Sequence, residues 1–217
     1  MNREPTHAHA PAALRAAPEV IGKVAAVTVS FWIVKVLVTT VGDLSGDALS
    51  ISLGLGYGLA LVIALALFLT LLFAQIRARR FTPWLYWAVL FSSSTVGAEI
   101  SDSLDRALHW GDLVGTLALL GVLLAILAVW FARRGALGSY PVREGADERY
   151  YWLAALAANS LGSAFGDLVG GRLELGLLGG IAANVLVLAL LLGLHRTRRA
   201  SKALLFWGAF VVSRIPF

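Results

Sequence analysis

The amino-acid sequence predicts an all-α integral membrane protein. Its seven transmembrane helices form parallel two-helix hairpin repeats, three and a half copies in all, with the N-terminus cytoplasmic. Three observations predict this. Hydrophobic residues make up 59% of the 217 and charged residues 14%, against about a quarter charged in ordinary soluble domains, and the mean hydropathy is +0.79. Apolar runs recur at about 20 residues, the length an α-helix needs to cross a bilayer. The charges between those runs separate by sign.

The apolar runs lie roughly at 22–42, 53–76, 84–104, 111–132, 150–169, 173–194 and 203–217. Arg3, Arg15 and Lys23 precede the first; Arg77, Arg79 and Arg80 follow the second; Arg133, Arg134, Arg143 and Arg149 follow the fourth; Arg196, Arg198, Arg199 and Lys202 follow the sixth. Fourteen of the eighteen basic residues therefore fall on one face. Asp43, Asp47, Glu99, Asp102, Asp105, Asp112, Asp167 and Glu174 mark the other. Basic loops stay cytoplasmic, so the N-terminus is inside and the acidic face is outside. A cleavable signal peptide is excluded by Lys35 inside the first run and by the absence of a small-residue cleavage pattern. Residues 1–20, with His7 and His9, read as a mobile cytoplasmic tail, and 21–217 as a single transmembrane domain. With no Cys and one Met, disulfides, iron–sulfur clusters and thiolate-held metals are excluded. The positions of the charges argue against nucleic acid as a partner of this +5 chain.

Within the apolar runs an aromatic-Trp pair is followed at fixed distance by a hydroxyl, a glycine and an aspartate. Phe31-Trp32 leads to Thr40, Gly42 and Asp47; Tyr86-Trp87 to Thr95, Gly97 and Asp102; Tyr151-Trp152 to Ser160, Gly162 and Asp167. Counted from Trp, the offsets are +8, +10 and +15 in all three copies. Phe206-Trp207 opens a fourth. The repeats cover about 22–80, 81–135 and 148–199, with a partial copy at 203–217. Each is a motif helix going out and a plainer helix returning to an Arg cluster, so the copies share one orientation and should pack around an axis along the membrane normal. Gly54, Gly56 and Gly58, Gly111 and Gly115, and Gly176, Gly179 and Gly180 suggest close packing of the returning helices.

At these residues the chain resembles the bacterial multi-pass membrane proteins defined by a short repeat of unknown function. The resemblance rests on Phe31-Trp32 through Lys35, Thr39-Thr40, Gly42 and Asp47, on the Tyr151-Trp152 to Asp167 run, and on Phe206-Trp207 through Arg214-Ile215-Pro216. Two departures stand out. The last copy lacks the Gly-rich, Asp-containing continuation and eighth helix of the family, and Gly42-Asp43 stands where relatives often carry Gly-Glu. The resemblance implies a membrane location and, loosely, transport, and it names no substrate.

Residues four apart share a helix face. Lys35, Thr39, Asp43 and Asp47 make such a row, as do Thr95, Glu99 and Asp102, and Asn159, Ser163 and Asp167; Arg214 takes the offset of Thr39, Ser94 and Asn159. A mid-membrane lysine costs about 2.5–3.5 kcal/mol to insert, so Lys35 is expected to face the bundle and pair with Asp43 or Glu99. A plainer reading makes the hydroxyls and amide interhelical glue, worth about 0.6 kcal/mol each. The carboxylates argue for more. Converging around one axis, they suit the binding or relay of cations or protons. Without thiolates, a metal held by Asp47, Asp102 and Asp167 would be a hard divalent cation, and His109 with Asp105 and Asp112 is a further candidate ligand set. The Trp and Tyr residues near run ends fit an aromatic belt, and no cofactor is evident.

The leading expectation is a secondary transporter of a cation, a hard metal ion or one coupled to protons. The alternative is a non-catalytic subunit or assembly factor of a larger membrane complex, in contact with the lipid bilayer and with either its own copies or other chains. An enzyme is not expected: no metalloprotease His-Glu pattern, Gly-x-Ser-x-Gly elbow or phosphate loop is present.

Overall fold

A computed structural model describes residues 24–135, 145–172, 176–197 and 201–214. The tail, His7, His9, Tyr140, Arg143, Glu174 and Ile215-Pro216 lie outside them. The described residues form seven α-helices: α1 (Val29–Asp47), α2 (Gly56–Arg77), α3 (Pro83–Asp102), α4 (Asp112–Arg134), α5 (Gly145–Asp167), α6 (Gly176–Arg196) and α7 (Lys202–Val212). Thr28 caps α1, its hydroxyl accepting from Phe31 N at 3.2 Å, and Pro83 opens α3, where its missing N–H costs nothing. Gly135, in the left-handed region at φ +71°, ends α4 just after Arg133 and Arg134.

α1 starts and ends later than hydropathy predicts. The polar stretch from Thr39 to Asp47 continues the helix, with Thr39, Gly42 and Gly46 buried against the bundle and Asp43 half-buried. Directly after Asp47, Asp102 and Asp167 the backbone widens into a π-helical turn: Ala48–Ser52, Ser103–Ala107 and Leu168–Arg172. Such turns are rare and favour functional places. Three helical segments are long and apolar enough to cross a membrane, Val29–Ser52, Gly56–Arg77 and Asp112–Arg134, and Ile181–Leu194 and Lys202–Val212 are shorter apolar helices. α3 and α5 carry more polar residues and bury them: Ser92, Ser93, Ser94, Glu99, Asn159 and Ser160 are all within 1% of complete burial.

The four helices that begin with the aromatic-Trp pairs form an inner ring. α1 packs on α3, α3 on α5 and α5 on α7, and α7 returns to α1 through Phe31, Trp32 and Lys35. The two helices of one hairpin are not the main packing partners. α2 packs on α3, α4 on α5 and α6 on α7, so each returning helix covers the motif helix of the next repeat.

Of the returning-side glycines, Gly54, Gly56, Gly58 and Gly115 make no close approach, and Gly176 and Gly180 lie outside the residues whose surroundings are described. A Cβ added at Gly54, Gly56 or Gly58 would meet nothing within 4 Å, and Gly54 and Gly56 serve turns at positive φ. The close approaches occur at motif position +10. A Cβ on Gly42 would lie 2.7 Å from Ser94 Cβ, one on Gly97 2.8 Å from Ser160 N, and one on Gly162 2.6 Å from Arg214 Cδ. Each motif glycine thus receives the residue at position +7 of the next motif helix, or its neighbour.

Gly97→Ala is expected to destabilise the protein by about 1–3 kcal/mol, because the obstruction is backbone of α5 that cannot rotate away. Gly121→Ala, where a Cβ meets open space, should be neutral or slightly stabilising. Thermal unfolding of the two purified variants checks this.

Candidate functional site

The inner ring stacks its side chains in layers four residues, about one turn, apart. The layer at position −1 is wholly aromatic: Phe31, Tyr86, Tyr151 and Phe206, each next to the Trp of the following repeat. Phe31 meets Trp87 at 5.7 Å between ring centroids, Tyr86 meets Trp152 at 5.3 Å, Tyr151 meets Trp207 at 5.8 Å, and Phe206 meets Trp32 at 5.9 Å, closing the circle. The Tyr86 and Tyr151 hydroxyls are hydrogen-bonded to each other at 2.5 Å. The ring occupies the bundle end that carries the arginine clusters.

One turn further lie Lys35, Leu90, Ala155 and Phe210, all completely buried. Among the described residues Lys35 pairs with no carboxylate, which corrects the expected pairing with Asp43 or Glu99. Its ammonium donates to Phe210 O at 2.6 Å and to Ser213 Oγ at 2.7 Å, and stands 4.5 Å from the Phe210 ring. The next layer is Thr39, Ser94, Asn159 and Arg214. Ser94 Oγ donates to Thr39 O at 2.8 Å, Asn159 Nδ2 donates to Ser93 Oγ at 2.8 Å, and Thr39 turns back to Lys35 O at 2.9 Å. Arg214 crosses the ring: Nε donates to Asp43 Oδ2 at 2.9 Å, a second nitrogen pairs with Asp43 Oδ1, and the third reaches Asn159 O. The partner of Asp43 is therefore an arginine just past the end of α7. Its sequence signal was present, a basic residue in register with Thr39, Ser94 and Asn159.

Above Arg214 the ring opens into a cavity of about 110 Å³. Asp43, Asp47, Asp102, Asp167, Ser163, Arg106 and Arg214 line it, with Gly162 and Gly166 leaving room. The aspartates at position +15 of all three repeats thus share one space. Arg106 sits at the rim, 3.4 Å from Asp102 and donating to the Tyr57 hydroxyl at 2.9 Å; that hydrogen bond holds its guanidinium above the usual pKa. Ser101 donates to Asp167 at 3.4 Å. Two predicted residues stand aside. Thr95 and Glu99 lie one position off the axial row and face Gly46 of α1, with Glu99 Oε1 3.3 Å from where a Cβ on Gly46 would be. Among the described residues no three His, Asp or Glu side chains are placed to hold a metal ion directly, so neither the aspartate trio nor His109 with Asp105 and Asp112 forms a ready-made metal cage. A cation in the cavity would keep part of its water.

Fold and site define an all-α multi-pass membrane protein assembled from internal repeats. The profile of the Repeat of Unknown Function (DUF347) matches residues 30–81 and again 85–136, so the chain carries two copies of that repeat. No curated protein and no solved structure matches the chain.

Arg214→Gln and Asp43→Asn should each destabilise the protein by about 3 kcal/mol, the lower end for breaking a buried ion pair, because Asp43 is partly exposed. The double variant should lose clearly less than the sum. A double-mutant cycle by thermal or denaturant unfolding measures the coupling.

Proposed function

We propose that this protein is a small secondary transporter of a cation in the bacterial inner membrane, with basic loops inside and the aspartate-lined cavity opening outward. One observation carries the reading: the three equivalent aspartates, contributed by separate repeats, converge on one cavity beside Asp43. Four carboxylates and two guanidiniums line it, so its field favours a cation. Asp47 and Asp167 have no guanidinium in direct contact among the described residues, unlike Asp43 and Asp102. They are the groups with charge to offer.

The route inward supports a carrier rather than an open pore. Arg214 and the buried Lys35 stand on the axis, and the aromatic layer closes the end beneath them. An ion bound among the aspartates has to draw Asp43 away from Arg214, and the ring must rearrange, before the inner end opens. The row of Thr39, Ser94, Asn159 and Ser163 then offers oxygen ligands along the way. A hard metal ion, retaining water, suits these all-oxygen groups. A proton moving on the same carboxylates is the other cation they could carry.

A second reading, a non-catalytic subunit of a larger complex, is favoured by one feature. Val29, Ile33, Leu37 and Val41 form an uncovered apolar stripe on α1, each more than half exposed, and an apolar groove beside it runs between α1, α6 and α7. A partner helix would cover both.

In proteoliposomes, Asp47→Asn and Asp167→Asn are expected to cut cation flux about tenfold or more each, the effect of losing one charge-assisted contact, with expression and folding retained. Unchanged flux in both variants would overturn the carrier reading. Flux that appears only when a second protein is supplied would favour the subunit.

A further inference from the structure

Outside the axial site, a second cavity of about 480 Å³ lies at the basic end of the bundle, where α4 ends and α5 begins. Arg133, Arg134 and Arg149 line it together with Ala146, Tyr150 and Leu153. Its walls are firmly built. Asp147 accepts from Arg134 Nε at 3.0 Å and from Trp130 Nε1 at 3.0 Å, and Tyr150 stacks on the buried Trp130 at 6.0 Å with the rings 14° from parallel. Asp147 therefore fixes Arg134 and neutralises one charge. Arg133 and Arg149 are exposed and pair with no described residue, so two guanidiniums remain for a ligand.

The placement says what that ligand is. Arg133 and Arg134 terminate Asp112–Arg134, a helix apolar enough to cross a membrane, so the pocket sits at headgroup depth. One side is cationic and forked, suited to two phosphate oxygens; the other, Tyr150 and Leu153, is apolar and faces the acyl region. We propose that this corner binds the phosphate group of an anionic phospholipid in the leaflet on the basic face. Phosphatidylglycerol has the required chemistry: one phosphodiester charge on two acyl chains. Phosphatidylcholine, whose phosphate is already neutralised by its own ammonium, should bind poorly. The inference does not depend on what the axial cavity carries.

The test measures binding of phosphatidylglycerol, phosphatidylcholine and inorganic phosphate to the detergent-purified full chain by native mass spectrometry, with thermal unfolding in parallel. Arg133→Gln/Arg149→Gln is compared with Arg79→Gln/Arg80→Gln, which removes as much charge from the loop between α2 and α3. Each arginine near an anionic headgroup is worth about fivefold in affinity, so the first double variant should bind phosphatidylglycerol about 30-fold more weakly. Its melting temperature without lipid should not move, and the control variant should bind like the parent. Three results would overturn the proposal: equal phosphatidylglycerol binding by both double variants, equal binding of phosphatidylcholine by the parent, or inorganic phosphate binding as tightly as the lipid, which would make the pocket a site for a soluble anion.

Discussion

Close contact between consecutive motif helices at the glycine ten residues after Trp governs the rest of the architecture. Gly42, Gly97 and Gly162 each leave no room for a methyl group. Any larger residue would push the helices apart, and polar side chains behind the contact would lose their partners in a medium that offers no water to replace them. With the helices held close, position +7 of one repeat lies against position +10 of the one before. The same offset repeated around the ring stacks equivalent residues in layers. The aromatic circle, the buried Lys35 and the shared aspartate cavity are consequences of that single register.

The layers divide the bundle by chemistry. Aromatic rings close one end, where they bury large apolar area and satisfy the Tyr86 and Tyr151 hydroxyls with each other. The centre holds two basic side chains, Lys35 and Arg214, whose donors go to two backbone carbonyls, a hydroxyl and the Asp43 carboxylate. The far end collects aspartates, each the last residue of its α-helix before a π-helical turn. A single ion pair, Arg214 with Asp43, joins the centre to the acids. That pair is the natural place for an incoming ion to act.

Much of this was legible in the residues alone. The spacing of Trp, Gly and Asp gave the repeat register, the sign of the loop charges gave the two faces, and Lys35, Asp43 and Asp47 fell on one helical row. Other features were hidden because they depend on which helix neighbours which. A hairpin motif suggests that α2 covers α1, whereas α2 covers α3, and nothing in the local pattern distinguishes the two. The row Thr95, Glu99 and Asp102 mixed two faces: Ala98, a plain apolar residue, holds the axial place, and Glu99 turns toward α1. The partner of Lys35 was misjudged since a backbone carbonyl leaves no trace in sequence. Trp87 and Trp152 were read with a membrane belt, whereas both pack against the buried aromatic residue of the preceding repeat.

The account stands or falls on α7 closing the ring against α1 within one chain. The protein has no cysteine, so a Phe31→Cys/Phe206→Cys pair, replacing rings 6.4 Å apart, can be treated in membranes with a short bismaleimide and read by intact mass. Closure predicts an intramolecular link in the monomer, formed as readily as in a Tyr86→Cys/Tyr151→Cys pair, whose rings are also 6.4 Å apart. Reaction of the second pair alone, or linkage of the first only between separate chains, would contradict it.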